Sequence, residues 1–261
     1  MVANVTFVLL SPRSGAEVLA AEYADFLSYS GLTPAELEQR PLDNPDADLG
    51  SFDGVEGVFI GGSPFTITRP VDEEWQETIS QKLVDFIQVE SERNRLGIFS
   101  TCYGTSMLAH YLDGEVNSTY SESAGTSEVT LTDAGRTDPI TGGLPDRFTA
   151  LTGHKDSVVR VPEEATLLAT GETCPVQIYR YRDNVWTSQF HPEMDAAGIT
   201  RRLSFYEDEG YCDPAEIAET YARFEGQDTA AANSLLRRFV EYSRGALAVS
   251  YTHLRAHETS L

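Results

Sequence analysis

The chain has 261 residues, 41% of them hydrophobic, enough for one substantial core, and with 20 Gly, 12 Pro and 3 Cys it is no collagen, disordered chain or disulfide scaffold. No apolar run approaches the ~20 residues of a membrane helix, and the opening MVANVTFVLL carries no basic leader, so a cytoplasmic protein is expected. With 41 Asp+Glu against 19 Lys+Arg the formal charge is −22, a field that repels nucleic acid and anionic membrane, and neither is expected as a partner.

Thr6 to Leu10 reads as a buried strand ended by Ser11-Pro12. Ala16 to Ser30 has Val18, Leu19, Tyr23, Phe26 and Leu27 at helical spacing, closed by Gly31. Thr33 to Leu42 is ambiguous: Thr33-Pro34-Ala35-Glu36 is a capped helix start, yet the segment is short enough for a strand. Val55 to Ile60 is a second buried strand, stopped by Gly61-Gly62-Ser63-Pro64. Glu73 to Glu92 is an amphipathic helix, Leu96 to Ser100 a third strand, and Gly104 to Tyr111 a helix directly after it. This alternation argues for a parallel sheet with helices on both faces.

From Val129 the period shortens. Glu128 to Thr132, Phe148 to Thr152, Thr166 to Thr170, Val176 to Tyr181 and Val185 to Phe190 read as strands joined by short turns. Ala196 to Glu209, Asp213 to Phe224 and Ala230 to Ser243 read as helices, the last ending at Arg244-Gly245. A single domain over residues 1–248 is expected. Residues 249–261, VSYTHLRAHETSL, resemble adaptor sequence and are expected to be a disordered or non-native tail, so His253 and His257 are not read as a metal pair.

Cys102, Cys174 and Cys212 are far apart, and none lies in a C-x-x-C, so neither a disulfide framework nor a metal site is expected. Cys102 differs from the other two in its surroundings. In STCYGTS (Ser100 to Ser106) it falls between a strand end and a helix start, with Gly104 where the two backbones must approach: a Cys counterpart of the G-x-S-x-G elbow. Its sulfur would project over the carboxyl edge of the sheet, at a helix N-terminus that favours a thiolate. Gln189-Phe190-His191-Pro192-Glu193 follows the last strand, and His191 with Glu193 two residues on suits a base and the carboxylate that orients it. Gly61-Gly62 can present one oxyanion N–H and Tyr103 the other.

A Gly-Gly loop, a Cys elbow and a terminal His-Pro-Glu, in this order, resemble the class I glutamine amidotransferase family, from about Val5 to Arg244, and most closely the amidotransferase domain of GMP synthase. Thr152-Gly153-His154-Lys155-Asp156-Ser157 is similar to the family's His-containing loop on the substrate side. The resemblance implies a flavodoxin-like three-layer α/β sandwich, with a central, mostly parallel sheet, a short-strand antiparallel section and C-terminal helices. It implies hydrolysis of glutamine or a γ-glutamyl amide without metal or organic cofactor, with Cys102 as nucleophile, His191 as base and Glu193 as its carboxylate. Gly61, Gly62, Tyr103, Ser106 and His154 would line the oxyanion and substrate site. The alternatives are a γ-glutamyl peptide hydrolase of the same fold and a non-catalytic regulatory subunit. Two positions depart from the family pattern: Ser100 stands for a Gly, and Ser106 for a Gln. No ATP-binding GxxxxGK[ST] loop occurs, so ammonia is expected to serve a separate synthetase subunit.

Overall fold

Phe7 to Leu10 is apolar at every position, which suits a strand covered on both faces. In the computed structural model, which describes residues 5–69, 75–206, 211 and 214–258 and side chains as far as residue 245, this run is strand β1 (Phe7–Ser11), buried throughout. Phe7 and Leu9 join one hydrophobic cluster and Val8 and Leu10 the other, as strand alternation requires. Helix α1 (Ala16–Ser30) ends at Gly31, whose φ of 74° lies in the left-handed region. The ambiguous segment resolves into a single turn and a strand. The Thr33 amide and hydroxyl both donate to the Glu36 carboxylate, but β2 (Leu37–Pro41) then pairs in parallel with β1, and that ladder takes the backbone groups a helix would need.

The alternation continues through β3 (Gly57–Ile60), α2 (Trp75–Arg93), β4 (Gly97–Thr101) and α3 (Tyr103–Tyr111), each within a few residues of its expected bounds. Beyond them come β5 (Glu115–Asn117), β6 (Glu122–Leu131), α4 (Asp133–Thr137), β7 (Arg147–His154), β8 (Ser157–Arg160), β9 (Ala165–Gly171), β10 (Ile178–Tyr181) and β11 (Val185–Ser188). The chain closes with α5 (Ala196–Ser204), a 3₁₀ turn (Pro214–Glu216), α6 (Ile217–Phe224) and α7 (Ala230–Glu258). The expected start at Asp213, part of the expected Ala196 to Glu209 helix and Cys212 lie outside the described residues.

Five elements differ from expectation. Strand β6 begins at Glu122 rather than Glu128, because Glu122 to Ser127 lacks apolar alternation and is strand by virtue of its pairing with β7. The short β5–β8 ladder and the five-residue α4, capped by the Thr132 hydroxyl accepting from Gly135 N–H at 3.1 Å, are too brief to leave a periodic signal. Helix α7 passes through Gly245, where an end was expected; one interior glycine costs a helix only about 1 kcal/mol. The side chains of His253 and His257 lie outside the described set.

Among the described residues the main sheet has nine strands in the order β2-β1-β3-β4-β11-β10-β9-β6-β7. The first five are mutually parallel; from β11 onward every pairing is antiparallel. The antiparallel section is therefore an extension of the same sheet. Helices α1 and α7 cover one face, where Phe26, Leu235 and Phe239 meet Phe7, Phe59, Phe99 and Trp186; α2 and α3 cover the other, where Ile79, Leu83 and Met107 meet Val8, Val58 and Ile98. This is a three-layer α/β sandwich. No described helix is long and apolar enough to cross a membrane.

Candidate active site

Four neighbouring parallel strands deliver the chemistry to one edge. Arg13 follows β1, Gly61-Gly62 follow β3, Cys102 follows β4 and His191 follows β11. Because β4 and β11 are parallel and adjacent, with Thr101 paired to Ser188, their carboxyl ends emerge side by side. Ligands of open α/β sheets bind at this edge.

Cys102 occupies the elbow with φ 47° and ψ −96°, a conformation non-glycine residues rarely adopt. Hydrogen bonds hold it there. Its N–H donates to Ser188 O at 2.7 Å, Thr105 N–H donates to Cys102 O at 3.0 Å, and the Thr105 hydroxyl donates to Ser188 O at 2.8 Å. A Cβ at Gly104 would lie 1.8 Å from the Ser100 hydroxyl, so Ser100 fits the family's glycine position only because Gly104 faces it. Cys102 is 8% exposed, and it lines two clefts.

His191 and Glu193 stand beside it. His191 Nδ1 is 2.8 Å from Glu193 Oε1, and the ring shares a cleft wall and the Gly62 backbone with Cys102. Burial alone would depress the imidazolium, but Glu193 and then Cys102 outweigh it and raise the pKa to about 10. Burial pushes the Glu193 carboxyl up, and His191, aided by Arg202, more than reverses this to hold it below its ordinary value. The imidazole is thus oriented from one nitrogen and presented to sulfur on the other side. Asn233 of α7 donates to both Pro192 O and Met194 O at 2.8 Å, clamping the loop that carries the pair.

The glycine loop closes the third side. A Cβ at Gly62 would lie 3.2 Å from His191 Cε1 and 3.7 Å from Cys102 Cβ, so its backbone abuts both groups. Gly61 is pressed against Glu22, whose carboxylate would meet an added Cβ at 2.4 Å. The buried Arg13 donates to Gly62 O at 3.1 Å and pairs with Glu22 at 3.1 Å. Arg202 in turn pairs with Asp25 at 3.0 Å. Tyr103 is the first residue of α3, and its N–H is one of those with no acceptor inside the helix.

The two clefts meet at the sulfur. The larger, about 450 Å³ with its open mouth, is lined by Cys102, His191, Arg13, Arg202, Pro64, Met194, Ile199, Leu203 and Tyr206 among others. The smaller, about 270 Å³, is lined by Cys102, Tyr103, Ser106, His154, Lys155, Asp156 and Gln189 among others. Both amide atoms of Gln189 and the Ser106 hydroxyl are buried without a hydrogen-bond partner, so polar groups wait on the smaller side.

Six of the eight residues singled out in the sequence, Cys102, His191, Glu193, Gly62, Tyr103 and Ser106, surround this point, with Gly61 one residue behind. His154 lines the smaller cleft, but both its ring nitrogens are engaged, with Glu122 Oε2 at 2.9 Å and Asp156 O at 2.8 Å. Asp156 in turn accepts from Ile67 N–H and the Thr68 hydroxyl, tying the glycine loop's continuation to this strand. Glu122, His154 and Cys174 have ligand atoms within 4.8 Å of one another. They do not suit a cation: Glu122 Oε2 already accepts from Thr152, His154 and Gln177, and burial pushes the Cys174 thiol up to about 12. The sequence reading missed Arg13, Gln189, Arg202 and Asn233. Arg13 carried a usable signal, as it follows a strand that neighbours β3 in the same parallel sheet.

Residues 27–204 match the family profile described as "Glutamine amidotransferase class-I". A glutamine-hydrolysing GMP synthase subunit of Methanothermobacter thermautotrophicus is 32% identical over 162 residues, which is 62% of this chain and 76% of that protein. The glutamine-hydrolysing GMP synthase of Aeropyrum pernix is 36% identical over 179 residues, 69% of this chain but 31% of that longer protein. A glutamine amidotransferase of Thermotoga maritima superposes with a TM-score of 0.67 at 21% identity, covering 91% of this chain and 98% of its own. The chain belongs to the class I glutamine amidotransferase family.

Proposed function

We propose that this chain hydrolyses the side-chain amide of glutamine, or of a γ-glutamyl amide, by nucleophilic catalysis at Cys102. The observation that carries the reading is the imidazole of His191, hydrogen-bonded to buried Glu193 and sharing one cleft with a thiol at a strained elbow. Sulfur attacks the amide carbonyl with the proton of the thiol–imidazole pair held on His191, whose imidazolium Glu193 stabilises. The oxyanion forms beside the Gly62 and Tyr103 amides. The C–N bond breaks, nitrogen takes the proton from His191, and ammonia or an amine leaves. Water, deprotonated by His191, then cleaves the γ-glutamyl thioester to glutamate and restores the thiol. The polar smaller cleft, with Ser106 and Gln189 lacking partners, suits the charged glutamyl end. Relatives named as one subunit of a GMP synthase support a separate synthetase subunit that receives the ammonia.

The test is glutamate release from glutamine, with and without a candidate synthetase. Cys102→Ala should lose at least ~10³-fold in kcat while the circular dichroism spectrum stays unchanged. A glutamine-like chloroketone should label Cys102 stoichiometrically. Glutamate release by the alanine variant at the wild-type rate ends the proposal.

A further inference from the structure

Arg13 is a buried cation at the site, and the thiol chemistry gives it no part. It is 3% exposed, lines the larger cleft with Cys102 and His191, and sits two residues beyond β1, where its N–H donates back to Ser11 O at 2.8 Å. Burying a guanidinium is costly unless its donors are met. Here each nitrogen is engaged. Nε donates to Gly62 O at 3.1 Å, Nη2 donates to the same oxygen, and Nη1 donates to Tyr206 Oη at 3.2 Å. Glu22 Oε1 lies 3.1 Å from Nε yet accepts no hydrogen bond from it, so the carboxylate is the counter-charge and the Gly62 carbonyl is what the fork grips.

Gly62 needs such a hold. It lies beyond the end of β3, and a glycine backbone rotates where a side chain would restrict it. Two contacts remove that freedom. Gly61 N–H donates to Leu10 O at 2.9 Å, and the Gly62 carbonyl is forked by Arg13. The Gly62 N–H lies between these two pinned groups, on backbone that abuts His191 and Cys102. Fixing the carbonyl fixes the Gly62 α-carbon, and the N–H is one bond away from it. A donor aimed at a developing oxyanion works only when it is held in place before the charge appears.

Resting on the reading in which the Gly62 N–H receives the oxyanion, we propose that Arg13 is a positioning residue of the hydrolysis: its fork on the Gly62 carbonyl holds the oxyanion loop against Cys102, and Glu22 keeps that buried cation charged. Arg13 touches no reacting atom. It acts through Gly62, and a shift of about 1 Å in such a donor is enough to cost about 10²-fold in rate.

Three variants of the full chain test this. Arg13→Met removes the fork and keeps the bulk. It leaves buried Glu22 facing Arg202 Nη1 at 3.7 Å, so Arg13→Met/Glu22→Gln is made beside it as the variant with no stranded carboxylate. Both should lower kcat for glutamine by about 10²-fold with KM within about threefold. Arg13→Lys keeps the charge and a point donor without the fork, and its kcat should fall between theirs and the wild-type value. Alkylation of Cys102 by iodoacetamide, followed by mass spectrometry of its peptide, displaces iodide and develops no oxyanion. Its rate should therefore stay within about threefold in all three variants. An unchanged kcat in the double variant would overturn the assignment and leave the thiol mechanism standing. Alkylation slowed in step with kcat would also overturn it, by placing the defect in the thiol–imidazole pair or in the fold. Wild-type protein that releases no glutamate would remove the thiol reading and this assignment together.

Discussion

Burial and charge pull His191 in opposite directions, and Glu193 is the arbiter. With the carboxylate in place the imidazolium persists to about pH 10; without it, burial is opposed by Cys102 alone and the pKa should fall. Glu193→Gln should therefore lower kcat by about 10²-fold and move the His191 titration, followed by NMR, downward from near 10. The stabilising contribution follows from the same shifts. His191 is raised, so its share is complete below about 6.5 and lost as pH climbs through about 10. Glu193 is lowered, so its share is present above its ordinary value and lost as pH falls through the depressed one. Gly104 marks the steric side of the same spot. Gly104→Ala should lower Tm, because the new methyl would sit 1.8 Å from Ser100 Oγ and that side chain must turn away; recovery of Tm in Ser100→Gly/Gly104→Ala would show that this clash is the cause.

Among the elements, α7 does two jobs that its amphipathic pattern does not announce. Phe239 is fully buried, with its ring against those of Phe7, Phe59, Phe99 and Trp186, and so pins four of the parallel strands. Phe239→Ala should cost about 3–5 kcal/mol and lower Tm by roughly 10 °C. One turn from the helix start, Asn233 bridges Pro192 O and Met194 O. Asn233→Ala should reduce kcat with little change in KM, and should broaden the pH profile assigned to His191, a change that loss of packing alone would not produce. The contrast explains what a reading of residues can reach. The elbow and His-Pro-Glu were legible because each is local, a few residues at the point where a strand gives way to a turn. The parallel core was legible because Phe7–Leu10, Val58–Ile60 and Ile98–Phe99 are uniformly apolar. Asn233 and Arg13 act across the fold on carbonyls of distant loops, and a side chain that reads another segment's backbone leaves no pattern in its own. Strand β6 was half hidden for a similar reason, its first residues being polar and held by pairing alone.

Over the whole molecule, a charge of −22 means self-repulsion that the fold must outweigh. Tm should rise as salt increases from low ionic strength to about 1 M, since the Debye length shrinks from about 30 Å at 0.01 M to about 3 Å at 1 M; a Tm independent of salt would show that local ion pairs cancel the field. Acid should act through particular carboxylates as well as net charge. Against the push of burial, His154 draws Glu122 down to about 2, so its contribution is present above about 4.5 and lost as pH falls toward 2. Glu122→Gln should flatten the acid side of the stability curve and loosen the Asp156 tether to residues 67 and 68.

The adjacency of β4 and β11 has an outcome in time as well as space. These strands lie edge to edge, yet residues 102 to 184 intervene, and β11 is the last strand of the sheet to be synthesised. A polypeptide interrupted anywhere in that interval holds its sulfur without His191 and Glu193. Ignition waits for the final strand to slot in beside the fourth, so modification of Cys102 by a substrate-like electrophile doubles as a clock for completion of folding.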